Sequence, residues 1–150
     1  MKKRTLVQLF IFIGIACSNF CVAQSVAGDA LIGDWMDAKK ETIVRCFKLN
    51  GKYYGRLIWV ENLKAKGQPL SSEEQYYMNA IVLRDFEYRN KEWRNGIINQ
   101  PKTKKTYTAY LKLKDNNTME VIGFVFFRFL SESQFFTRVV PQNLETYKAR

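Results

Sequence analysis

The chain has 150 residues, with 24 basic side chains against 14 acidic ones, a net charge of +10 and no histidine. That histidine count excludes Ser-His-Asp and Cys-His catalysis, His-ligated zinc and the commonest general base near neutral pH. Three cysteines and only 8 Gly and 3 Pro exclude a disulfide scaffold and a Pro/Gly-rich linker, so a single domain is expected.

At the N-terminus Lys2, Lys3 and Arg4 form a basic head, and Leu6 to Ala16 is almost wholly apolar. That run has the length of a secretory h-region and is short for a membrane span. Cys21-Val22-Ala23 offers small residues where a signal peptidase reads, so cleavage is expected after Ala23, with Gln24 the new first residue. A lipid anchor at Cys17 is the minor alternative, since Gly14 and Ile15 fit such a site poorly. Periplasmic export is the expected localisation. Loss of residues 1–23 removes three basic residues and leaves +7 on 127 residues, with Cys46 as the sole thiol. Cys46 lies in an apolar run and reads as a buried free thiol. The residual charge reads as a basic surface, with peripheral contact to anionic membrane or lipopolysaccharide as the alternative. Nucleic acid is a poor partner for an exported protein, and no recognition-helix pattern occurs.

The rest of the chain is punctuated as antiparallel β. Eight strands are expected at 32–38, 41–49, 52–60, 80–88, 92–99, 105–114, 118–128 and 133–140. Asn50-Gly51 between two β-rich runs is a strong hairpin signal, because both residues tolerate positive φ. In the sixth run Tyr107, Ala109, Leu111 and Leu113 alternate with polar neighbours, which marks a half-buried strand. The seventh is apolar on both faces, Val121, Val125 and Phe127 against Ile122, Phe124 and Phe126, so it needs cover inside and outside. The long join 61–79 carries Ser71-Ser72-Glu73-Glu74, a helix start. Eight short strands with mostly tight turns point to an all-β fold, an eight-stranded up-and-down barrel or a sandwich. Closure would remove exposed edges.

Trp35, early in the first strand, suits a barrel plug whose indole N–H needs a partner. Arg138, in the last strand, is expected to lie across it as a cation–π contact. First and last strands are neighbours only in a closed sheet, so this pair is the expected structural signature of closure.

The ordered motifs Gly33-x-Trp35, Tyr53-Tyr54-Gly55-Arg56-Leu57-Ile58-Trp59, Trp93-Arg94-Asn95-Gly96-Ile97-Ile98, Pro101 with Lys105-Thr106-Tyr107, Met119-Glu120-Val121-Ile122-Gly123 and Thr137-Arg138-Val139 span nearly the whole domain. As a set they resemble the bacterial domain-of-unknown-function family 2147, within the lipocalin-like (calycin) plan. The resemblance implies an exported lipocalin-like barrel and no established reaction. Four positions depart from the family pattern. Gln100 stands where Asp is usual, Lys104 where Gly is, Ile122 where Arg is and Phe136 where Trp is.

Chemistry on this chain is sparse. One cysteine makes no thiolate metal site or iron–sulfur cluster, and no phosphate-binding Gly-rich loop occurs, so no metal or cofactor is expected. Asp85 and Glu87 share a strand face, but such a pair is ordinarily a solvated surface. The 8 Tyr, 11 Phe and 3 Trp suggest instead an apolar pocket. Tyr54, Trp59, Trp93, Tyr107 and Phe124 are the expected ligand-binding lining, with Arg56 either an anion-binding group at the mouth or a solvated cation. The function expected is a non-enzymatic barrel holding a small hydrophobic or amphipathic ligand such as a lipid or fatty acid. The alternative is an envelope interaction or structural protein with a filled barrel.

Overall fold

A computed structural model describes residues 26–61, 71–101, 103–124 and 131–148, side chains of 124, 131, 132 and 148 excepted. The expected signal segment with Cys17 and Cys21, and residues Val125 to Phe127, lie outside the described residues. Eight strands follow in order: β1 Gly33–Asp37, β2 Thr42–Leu49, β3 Lys52–Val60, β4 Ile81–Arg89, β5 Glu92–Gln100, β6 Lys105–Asp115, β7 Thr118–Phe124 and β8 Ser131–Arg138. Every neighbour pairs antiparallel, and β8 returns to β1, so the sheet is a closed up-and-down barrel rather than a sandwich. At the seam Trp35 is opposite Arg138 and Asp37 opposite Phe136.

The turns explain the order. Asn50 and Gly51 both take positive φ, 49° and 78°, as does the pair Asn90 and Lys91, at 52° and 62°. Two consecutive residues of this hand match the twist of the strands they join. The long join after β3 ends in helix α1, Ser72–Tyr77. Ser71 and Glu74 cap it reciprocally, side chain to backbone in both directions. Backbone bonds Leu57 N–H to Ala80 C=O (3.0 Å) and Asn79 N–H to Leu57 C=O (2.9 Å) then fasten the end of this join beside β3.

The inward face carries the main core, with Trp35, Phe86, Leu111 and Met119 fully buried. β4 and β5 kink together. Asp85 (φ 65°) and Asn95 (φ 60°) adopt left-handed backbone in mid-strand, both within the interrupted stretch of the ladder between the pairs Arg84–Ile97 and Glu87–Arg94. The kink lays the Phe86 ring on Gly96, where an added Cβ would meet ring atoms at 2.3 Å. The glycine of the Trp-x-x-Gly motif is therefore the seat of an aromatic ring.

A second, outer cluster joins Met36, Ile43, Trp59 and Leu144. Leu144 belongs to a C-terminal helix, α2 Pro141–Lys148. Pro141 at its first position and the i, i+3 pair Leu144/Tyr147 are the local signals for it.

Candidate functional site

The two ends of the barrel differ. At one end residues 28–32, including the 3-10 turn Asp29–Leu31, cross the floor and plug it. Trp35, 0% exposed, donates its Nε1–H to the Leu31 carbonyl at 2.9 Å. Trp93 donates to the Gly28 carbonyl at 3.2 Å. The Arg138 guanidinium lies 4.1 Å from the Trp35 ring centroid. It also donates to Ala30 (2.7 Å), Ile32 (3.0 Å) and Asn116 (2.7 Å) carbonyls. Gly33, at φ 140°, is required twice here: the backbone is disfavoured for other residues, and a Cβ would stand 2.6 Å from Arg138 Nη1. Asp29 accepts from Lys48 Nζ and the Tyr53 hydroxyl, both at 2.7 Å. Those donors hold its carboxyl below the ordinary range. Burial, then the Asp29 bond, pushes the Tyr53 hydroxyl up to about 12. Cys46 is buried beside this floor, where burial pushes its thiol to about 12 and leaves it inert.

At the other end a cavity of about 740 Å³ opens between the strands. Val44, Leu57, Leu83 and Met119 lie deep in it, and Ile98, Val121 and Phe136 form walls. The mouth carries Glu41, Glu61, Gln100 and Gln134, with Tyr77 of α1 at its edge. Its size lies within the range of small-molecule sites, and its mostly apolar wall with a few polar groups is their usual make-up.

Of the five residues expected to line the pocket, Tyr107 does so, half-buried, with its hydroxyl 3.5 Å from Gln100 Oε1. Tyr54, Trp59 and Trp93 do not, and each has a physical reason. Tyr54 alternates outward, stacks on Phe47 at 5.7 Å and donates to Asp85 at 2.9 Å. Trp59 has the inward parity of Leu57, but a bulge intervenes. Val44 pairs with Leu57 and Ile43 with Trp59, so Ile58 is an extra residue and Trp59 turns outward onto Tyr147 of α2. Trp93 faces inward but lies in the floor, 4.9 Å from Tyr88 and 6.2 Å from Tyr53. The Phe124 side chain is outside the described residues. Arg56 is exposed on the outer wall, 5.6 Å over Phe47, away from the mouth. Asp85 and Glu87 are ion-paired with Arg84, Lys52 and Arg89. Among the lining residues not expected from the sequence, Gln134 and Phe136 share the parity of Arg138 and follow from counting back in twos. Two of the four departures from the family pattern, Gln100 and Phe136, fall in the cavity lining.

A closed eight-stranded antiparallel barrel, plugged at one end and hollow at the other, is a lipocalin-like barrel. The chain belongs to the family described as uncharacterized protein conserved in bacteria (DUF2147), whose model matches residues 33–138. Among solved structures it is similar to protein HP1028 from Helicobacter pylori, described as belonging to the lipocalin family. That likeness has a TM-score of 0.60 at 16% identity, over 79% of this chain and 88% of that one, and it shows the fold alone. A comparison with curated protein sequences gave no match.

Proposed function

We propose that the protein is an exported binding module, held in the periplasm after cleavage at Ala23, that carries a small apolar or amphipathic molecule such as a lipid in its open end. The observation that carries this reading is the cavity of about 740 Å³, walled by Leu57, Leu83, Ile98, Val121 and Phe136. Empty apolar space on this scale forgoes dispersion contacts that a filled core would make, and an apolar ligand restores them. A filled barrel serving only as an envelope structural protein would not leave such a space. Asp85 and Glu87 are paired with cations on the strand surface rather than poised in a cleft, which supports a binder over an enzyme.

Native mass spectrometry of protein purified without detergent tests the reading. The expected result is a population heavier than the bare chain, which reverts to it on solvent extraction. Bare chain alone, together with no uptake of an added apolar fluorophore, would overturn it.

A further inference from the structure

The cavity's polar groups narrow the ligand further, and this step rests on the binding-module reading above. Glu41 and Glu61 line the mouth side by side, because the Glu61 N–H donates to the Glu41 carbonyl at 2.7 Å. Neither carboxylate forms an ion pair among the described residues. Two neutral amides accompany them. Gln100 Oε1 already accepts from Thr103 at 2.8 Å, whereas its amide NH2 and both ends of the Gln134 amide have no partner among the described residues.

No Lys or Arg lines the cavity among the described residues. Lys39 and Lys40, in the turn before Glu41, are exposed and outside the lining. Arg138, the inward cation of β8, is fully engaged with carbonyls at the opposite end. Among the described residues, two carboxylates and neutral amides, rather than a cation, face the cavity.

A fatty-acid carboxylate entering tail first would leave its charge beside two like charges, with no cation among the described lining residues to answer it. A head group bearing hydroxyl or ammonium N–H donors would instead find carboxylate and amide oxygens to accept from. We propose that the cavity selects amphiphiles whose head group donates hydrogen bonds and carries no negative charge, and discriminates against carboxylates.

The test uses three probes with the same twelve-carbon tail: 1-monolauroylglycerol, dodecylammonium and dodecanoate. Each is titrated below its micelle concentration at pH 8 against the uncharged fluorophore N-phenyl-1-naphthylamine bound to the purified protein. The glycerol ester and the ammonium should displace the fluorophore at similar concentrations, and dodecanoate should be about ten-fold weaker. The double variant Glu41→Gln with Glu61→Gln should close most of that gap and leave the glycerol ester within about two-fold, since an amide keeps the shape and removes the charge. Dodecanoate binding as tightly as the ester would overturn the head-group selection while leaving the binding module intact. A gap unchanged in the double variant would overturn it too, because the two carboxylates would not be its source. A fluorophore that never binds would overturn the binding module itself.

Discussion

The floor and the mouth of this barrel are built from the same eight strands and treat polar groups in opposite ways. At the floor, the carbonyls of Gly28, Ala30, Leu31 and Ile32 each receive a donor from Trp93, Arg138, Trp35 and Arg138 again. At the mouth, the side chains of Glu41, Glu61 and Gln134 make no hydrogen bond or ion pair among the described residues, and Glu41 is held by its backbone N–H, which donates to Asp37 Oδ1 at 2.8 Å. A closed end whose polar groups are satisfied internally holds the shape, so the open end need not satisfy its own groups within the protein. The general lesson is that a small barrel can concentrate its internal polar bonding at one end of its axis.

The sharpest way to break this contrast is at the plug. Trp35→Ala removes a fully buried indole and the donor to Leu31, and should cost about 3–5 kcal/mol in urea unfolding followed by circular dichroism. Next comes Arg138→Ala, which leaves three carbonyls without their charged donor and should cost about 2–3 kcal/mol. Arg138→Lys should recover only part, because an ammonium cannot reproduce the guanidinium fork. A double-mutant cycle of Arg138→Ala with Trp35→Phe should return a coupling of about 0.5–2 kcal/mol.

A smaller effect is expected from Tyr53→Phe, about 1 kcal/mol for the lost bond to Asp29. It also has a pH signature. The hydroxyl titrates near 10 in the unfolded chain and near 12 in the fold, so the fold favours its protonated form. Its contribution is complete below pH 10 and falls as pH rises towards about 12. The unfolding free energy of Tyr53→Phe should therefore drop less steeply across that window than that of the parent. The smallest stability change belongs to the mouth. Gly123→Phe projects into the cavity from a position where a Cβ meets only Ile98 Cδ1, at 3.5 Å. It should change stability by less than about 1 kcal/mol, yet abolish uptake of an apolar fluorophore measured by emission.

The same axis separates what the sequence reveals from what it hides. The strands were legible because alternation and paired positive-φ turn residues are local signals; the expected third strand, 52–60, coincides with β3. β8 was expected two residues late: its pairing with β7 begins at Ser131, and past Arg138 the bond from Val139 N–H to Asp34 C=O, at 2.8 Å, joins it to β1 before α2 starts. The cavity lining was the least legible part. Period-two counting assigns Trp59 inward, and only the register of β2 against β3, a long-range property, places the bulge that turns it out. Trp93 was assigned to the correct face but not to a level along the axis, which depends on the stagger of all eight strands. Large aromatics drew attention to positions where the fold needs filling, while the open end is marked by ordinary Gln and Glu.

The seam carries one more implication, for the order of events as the chain assembles. Arg138 touches Ala30 and Ile32, partners 108 and 106 residues away in sequence. The last strand must therefore be in hand before the first can be locked. Such a ring cannot seal strand by strand; it closes only once β1 and β8 are both free to meet.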